Sequence, residues 1–437
     1  MKNFPTIVSW LYSRQTFLIA GTLLFSVSPL LCGLLYFGAA LVSIFNWKQV
    51  IFTRERIVLT VCIVVLSIGL AFRKVEPERI LPGSISLSDY IPFLPFFFLI
   101  SLEPFSESEI TNFFYALILT IPQQFLLAVG ENYLGWYGRF YFLGEQFPLI
   151  DVCVGPIARG LKTSASFFNP NIFSVYCIFC AGICLNLLIA ELKPFTLNYT
   201  INLKLGIRIL VPFFGLALCT TLIIWSGSDA GLMIFLLSTI IWLSWMTDKW
   251  LYLITIGAVG TLIAFISLNS FGWLTQFVTF LIPQRLLTLL NSVLASWNDR
   301  KPFYKCAVQL IQKKPLFGWG IGKFSQECAN RTGMEMAHAH NIVLQLGADT
   351  GLPLAILFLS FLGYILFSCI HFLRTVRTKK SMTYQLSAGL IIVSISIMLM
   401  QAFDLGLLMS YRLNFLFWIC LAIPYSLASQ PKVSKAL

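Results

Sequence analysis

The chain has 437 residues, of which 58% are hydrophobic and 11% charged, and its mean hydropathy is +0.83. Soluble domains carry roughly 25% charged residues, so composition alone excludes a water-soluble globular fold. The formal net charge is +12; in so apolar a chain this reads as Lys and Arg gathered at the membrane border, and no soluble basic face for nucleic acid is visible.

A helix needs about 20 apolar residues to cross the hydrocarbon core. Runs near 17–30, 31–46, 57–72, 90–102, 110–130, 167–190, 207–225, 229–246, 250–268, 342–372, 383–402 and 410–428 predict an all-α fold. It is a polytopic membrane helix bundle of about 12 transmembrane helices, one integral domain over 1–437, with a large extracytoplasmic loop. Lys2 and Arg14 precede the first run without a small-residue cleavage site after it, so that run reads as a retained span. The first two runs are continuous and read as a tight hairpin broken near Pro29. The fourth contains Pro92 and Pro95, and irregular backbone there must be buried in protein.

Lys48, Arg54 and Arg56, then Lys193, Lys204 and Arg208, then Arg374, Arg377, Lys379 and Lys380, and finally Lys432 and Lys435 all fall on one side with the N-terminus. Both termini are therefore expected to be cytoplasmic. Glu103, Glu107 and Glu109 share that side, but acidic residues weigh little in orientation.

Two substantial segments then face outward, 131–166 and 269–341. The second carries Arg285, Arg300, Lys301, Lys305, Lys313, Lys314, Lys323 and Arg331. Loops of this length escape the charge rule, so the basic residues point either to an anionic ligand such as a lipid phosphate or to a solvated, headgroup-binding surface without catalysis. Residues 303–314 alternate at helical spacing and read as an amphipathic helix along the membrane surface. Most of the eleven cysteines sit inside apolar runs and read as small buried residues. Cys306 and Cys328 lie in the large loop and pair if it faces an oxidising compartment.

His338 and His340, two of the three histidines, stand in Ala337-His338-Ala339-His340-Asn341, where the large loop enters a span. Histidine is the side chain most ready to take a proton near neutral pH. In an extended segment the two imidazoles share one face; in a helix they diverge. The alternative is a structural histidine capping the helix or meeting a headgroup. Glu335 is close, but two His and one Glu within six residues do not complete a zinc-like set at usual spacing, and no metal is expected. Arg159 and Lys162 precede the sixth span, Asn169-Pro170-Asn171 opens it, and Asp229 opens the eighth. Gly318, Gly320 and Gly322 form a GxGxG run that no strand precedes, so it is not a dinucleotide fingerprint. Asp404 and Arg412 flank the junction of the last two spans, either as functional groups or as a simple interhelical pair.

These pieces, in this order, resemble the O-antigen ligase and O-antigen polymerase family of bacterial membrane glycosyltransferases. The resemblance rests on Asn169-Pro170-Asn171, on Arg300 followed by Pro315 and the Gly-rich turn to Phe324, on His340-Asn341 with Gly351 and Leu352, and on Gln401 to Trp418 with Asp404, Arg412 and Asn414. It covers about 160–428 and is similar, at its end, to the cyanobacterial-type branch. It implies a donor glycan on a polyprenyl (undecaprenyl-type) pyrophosphate, a glycan or glycolipid acceptor, a role in surface polysaccharide or lipopolysaccharide biosynthesis, and a place in the bacterial cytoplasmic (inner) membrane among its lipids. It implies His340 as catalytic base, with Arg300, Lys162 and Arg159 around the pyrophosphate, no cofactor and no metal. His338, Asn341, Asp404, Arg412, Asn171 and Asp229 are supporting residues. Lys162 stands where the family has an arginine, keeping the charge but not the fork, and Asp229 stands within the family's Ser-Arg-Gly. The alternatives are a membrane transporter, which predicts ionisable residues at mid-membrane depth, and a non-catalytic relative that binds lipid-linked glycans.

Overall fold

The computed structural model describes residues 13–45, 54–72, 85–142, 150–155, 162–167, 169–192, 203–247, 284–333, 336–376, 382–402, 404–405 and 410–430. They form fourteen α-helices in an all-α, polytopic arrangement. In chain order these are α1 (Arg14–Leu23), α2 (Pro29–Phe45), α3 (Arg54–Ala71), α4 (Phe93–Ile100), α5 (Glu107–Tyr133), α6 (Pro170–Leu192) and α7 (Leu203–Ser226). Then come α8 (Asp229–Thr247), α9 (Gln284–Lys313), α10 (Phe324–Thr332), α11 (Ile342–Thr350), α12 (Leu352–Val376), α13 (Met382–Met400) and α14 (Tyr411–Ala428).

Among the described residues, six helices are long and apolar enough to cross a membrane: α5, α6, α7, α12, α13 and α14. Shorter apolar helices lie in α2, α3 and α8. Their lipid-facing character shows in exposed side chains such as Val61 and Val65 on α3, Phe213 and Phe214 on α7, and Ile356 and Phe367 on α12. Water would penalise those surfaces and hydrocarbon does not.

The span boundaries expected from hydropathy need three corrections. The run 90–102 yields only the eight-residue α4, about 12 Å long and too short to cross; its aromatic side chains are buried against α14 instead. Pro29 does break the first run, since it opens α2, but α1 has only ten residues. The run 342–372 is two helices, because Gly351 (φ +82°) ends α11 before α12 begins. The run 250–268 lies outside the described residues. Within 131–166 the main chain forms an antiparallel hairpin, β1 (Gly138–Phe142) with β2 (Ile150–Val154), in register Gly138↔Val154 to Phe142↔Ile150. Phe140, Tyr141, Phe142, Ile150, Val152 and Val154 are aromatic or β-branched and suit strands too short to be spans.

The bundle has two chemically distinct ends. At one, buried Arg14 makes a bidentate pair with Glu109 (3.0 and 2.9 Å) and donates to the carbonyls of Glu103 and Pro104. There too Ser106 and Glu109 form a capping box at the start of α5, Thr383 donates to Glu107, and Arg56 donates to Ser429. Glu103, Glu107 and Glu109 therefore anchor helix starts. In the middle, Phe415 of α14 packs edge-on against Phe37, Phe93 and Phe96 at 4.8–5.4 Å between ring centres.

The other end carries α9, α10 and α11. A disulfide joins Cys306 to Cys328 at the heart of a small core with Leu310, Phe324, Met336 and Ala339. The glycine-rich turn after α9 closes on the C-terminus of α11. Trp319 N–H donates to Ala348 O (2.9 Å), Gly320 N–H to Asp349 O (2.8 Å), and Leu352 N–H to Pro315 O (2.7 Å). Carbonyls that a helix terminus leaves without partners are satisfied this way. A Cβ on Gly318 (φ +65°) would collide with the Asp349 carbonyl, and one on Gly351 with that of Leu316. The GxGxG run is thus a backbone clamp rather than a nucleotide loop.

A Cys306→Ser, Cys328→Ser double variant is expected to lose about 3 kcal/mol, the chain-entropy value for a loop of this order. A lowered thermal midpoint of the detergent-solubilised protein is the readout. An unchanged midpoint, with or without reductant, would mean the two thiols are not joined.

Candidate functional site

The site is built around one carboxylate. Asp404 follows α13, its N–H bonded to Met400 O (2.9 Å), and its side chain is 3% exposed. Its Oδ1 lies 3.2 Å from His340 Nδ1 and 3.7 Å from His338 Nε2, and accepts the Leu405 N–H at 2.8 Å. Its Oδ2 accepts a hydrogen bond from Asn171 Nδ2. Burial alone would raise the Asp404 pKa, but the hydrogen bonds and charges of His338 and His340 outweigh it and hold the group below the usual carboxylate range.

The histidines reach this carboxylate from an extended segment, as their spacing allows, and their rings lie 4.3 Å apart. They differ in access: the His338 side chain is 7% exposed, that of His340 24%. His340 adopts φ +51°, an unusual conformation for a residue with a Cβ. It turns the chain directly into α11, whose N-cap is Asn341. The Asn341 Oδ1 accepts the N–H groups of Val343 and Leu344 (both 3.0 Å) while its Nδ2 donates to Ala402 O (3.0 Å). Ile342 N–H donates to Gln401 O (3.0 Å). The His-Asn pair therefore joins the outer loop to the Asp404 turn. With Nδ1 directed to Asp404, Nε2 is the ring nitrogen of His340 that this carboxylate does not engage; Phe303 of α9 packs edge-on against the ring, 5.0 Å between centres.

On the other side, Asn171 Oδ1 accepts from the Ser228 hydroxyl (2.7 Å), and Ser228 Oγ in turn accepts the Gly231 N–H (3.1 Å). Ser228 thereby caps α8. Asp229 occupies the first turn of that helix, where a carboxylate is favoured by the helix dipole. Lys162 is exposed, and its alkyl chain rests on Gly227 (φ +57°), one residue from Ser228. Arg300 is partly exposed on α9, one turn before Phe303 and Tyr304. Burial raises the Tyr304 pKa; the charge of Arg300 lowers it and that of Asp404 raises it, which puts this stretch of α9 beside the carboxylate.

The structure thus brings His338, His340, Asn341, Asp404 and Asn171 together directly, with Lys162 and Asp229 at the adjoining turn. Arg412 sits elsewhere: its guanidinium donates to the carbonyls of Phe25 (2.8 Å) and Ser166 (2.6 Å) and lies over the rings of Phe25 and Phe167. It fixes the 163–167 turn, which Glu131 of α5 holds from the other side through Ser164 and Ala165. Arg159 lies outside the described residues. Sequence reasoning missed Ser228 and Phe303 as site residues; the Ser-Gly-Ser run before α8 was the only signal for the first.

His338, His340 and Asp404 place one ligand atom each within 4.8 Å of one another. The trio is thus either an oriented base or three donors for a divalent ion.

Fold and site together define a polytopic membrane protein with a carboxylate-oriented histidine at one end of its helical bundle. Residues 214–359, a part of the chain, match the family model for O-antigen ligase, the family its motifs resemble. The match includes Arg300, His338 and His340 and stops short of Asn171 and Asp404, which the fold adds. No curated protein matches the chain.

Because the folded-state pKa of Asp404 is depressed, its contribution to stability is present above the ordinary carboxylate value near about 4 and is lost as pH falls through the folded value. Asp404→Asn cannot titrate, and is expected to remove that part of the acid dependence of the thermal midpoint between about pH 7 and about pH 3. A parallel pH dependence in parent and variant would show that Asp404 does not carry it.

Proposed function

We propose that the protein is a glycosyltransferase of the bacterial inner membrane. It moves a glycan from a polyprenyl pyrophosphate to a sugar hydroxyl of a glycan or glycolipid acceptor in surface polysaccharide synthesis. The observation that carries this reading is His340, half-open and held through Nδ1 by a buried carboxylate that Asn171 and Ser228 hold in turn.

In this reading Nε2 of His340 takes the proton of the acceptor hydroxyl. The acceptor oxygen forms the new bond to the anomeric carbon as the bond from that carbon to the pyrophosphate oxygen breaks. The leaving pyrophosphate keeps the electron pair, and its charge is met by Arg300 and Lys162, with Arg159 from the neighbouring segment. Asp404 fixes the imidazole tautomer and stabilises the imidazolium that forms, the role a buried carboxylate plays behind other catalytic histidines. Phosphate chemistry of this kind needs cations around the leaving group, and no metal is required where guanidinium and ammonium groups supply them. The disulfide in the same outer region supports placing this end of the bundle in an oxidising, extracytoplasmic compartment.

Replacing His340 with Ala in a deletion background, at matched membrane protein levels, is expected to reduce transferred glycan about 100-fold or more, with lipid-linked precursor accumulating. Glycan profiles equal to the parent's would remove His340 as the base. Transfer that disappears on chelation with EDTA and returns with a divalent ion would assign the trio to a metal instead.

A further inference from the structure

Asp349 and Gln345 of α11 are buried polar residues that the transfer scheme does not use, with exposures of 0% and 1%. Gln345 Nε2 donates to Asp349 Oδ2 (2.8 Å), and Gln345 Oε1 accepts the main-chain N–H of Ala339 (2.8 Å). The far end of this relay is the peptide between His338 and His340. The near end is fixed independently, because the Asp349 carbonyl is clamped by Gly320 N–H and by the close approach of Gly318. The His340 backbone sits at φ +51°, a conformation that surrounding contacts must hold.

We propose that Asp349, acting through Gln345, is a positioning residue for glycan transfer: as a neutral carboxylic acid it holds the Ala339–His340 turn that aims the His340 base. This rests on the transferase reading above. The neutral form follows from the surroundings. Asp349 Oδ1 has no hydrogen-bond partner among the described residues, and an ionised carboxylate left so would be costly. The titratable group facing it is Tyr90, from the segment before α4. The neighbouring cysteines of α9 and α10 are joined as a disulfide, the start of α12 brings only apolar side chains and Gly351, and Lys314 and Arg331 are drawn over the Trp319 ring. Burial accordingly pushes the Asp349 carboxyl up to about 8, the Gln345 hydrogen bond opposing it. The same burial holds Tyr90 well above its ordinary value, so Tyr90 does not titrate in this range. Raising the pH through about 8 ionises Asp349; the Gln345 bond then gains strength, but Oδ1 is left as a buried charge without a partner, and the water drawn to it opens this corner and loosens the relay. Asparagine reproduces the protonated acid at every pH: its oxygen accepts from Gln345 and its amide nitrogen carries hydrogens where the acid carries one.

The test compares initial rates of glycan transfer in membranes of the deletion strain, which supply their own lipid-linked glycan, from about pH 6 to about pH 9.5. The parent is expected to lose rate above about pH 8. Asp349→Asn is expected to keep its rate to higher pH, and Asp349→Ala to fall about 10- to 100-fold, chiefly in kcat. A second readout does not depend on transfer: carbethoxylation of His340 by diethyl pyrocarbonate in the purified full-length protein, expected to speed up severalfold in Gln345→Leu. The proposal is overturned if Asp349→Asn follows the parent's alkaline limb, or if Gln345→Leu leaves the His340 reaction unchanged. If His340→Ala transfers glycan at the parent rate, the transferase reading falls instead, and the carbethoxylation comparison still decides whether Asp349 and Gln345 hold His340.

Discussion

The fold converges on a buried charge that needs partners. Asp404 is nearly inaccessible to solvent, and a carboxylate in that position must be hydrogen-bonded or neutral. It is supplied with hydrogen bonds from the His340 imidazole, one amide side chain and one backbone N–H, with the His338 imidazole close by at 3.7 Å. Each donor belongs to a different part of the chain: the outer loop, the start of α6, and the turn after α13. The requirement to satisfy one carboxylate therefore fixes how three otherwise independent elements meet.

Around that point the supporting contacts are chiefly backbone ones. Asn341 caps α11 and ties it to the carbonyl of Ala402; Ile342 reaches Gln401. The disulfide and the glycine clamp hold α9, α10 and α11 as one unit, and Arg412 ties the 163–167 turn, through the Ser166 carbonyl, to the Phe25 carbonyl just after α1. In the proposed transfer, an imidazole held in this way needs little rearrangement when a proton arrives, which is where preorganised sites gain over water.

Much of this was legible from residue order. Apolar runs set the helices, because hydrocarbon leaves the backbone few alternatives, and His340-Asn341 with the Gly-rich turn marked the site. What hydropathy cannot show is where an apolar run breaks for packing. Gly351 splits one run so that α11 can turn back to the site, and α4 spends its phenylalanines on Phe415 instead of lipid. Distance in sequence hid the rest. Asn171 and Asp404 stand 233 positions apart, so their bond could be read only from the fold. Arg412, read beside Asp404 at the junction of the last two spans, instead donates to the carbonyls of Phe25 and Ser166. Asp229, which stands within the stretch where the family has Ser-Arg-Gly, occupies the first turn of a helix, where a carboxylate is favoured.

The glycine clamp divides the outer turn into two kinds of position. Main chain touches main chain at Gly318 and Gly351, and no side chain takes part in holding the site there. Between the clamp points, Leu316 and Phe317 stand outward, 62% and 63% exposed. The hydrogen bonds of Trp319, Gly320 and Leu352 that close the turn are main-chain ones. The turn thus separates two kinds of position: its glycines are locked together, each leaving no room for a side chain at the other, while Leu316 and Phe317 carry their bulk out to the surface.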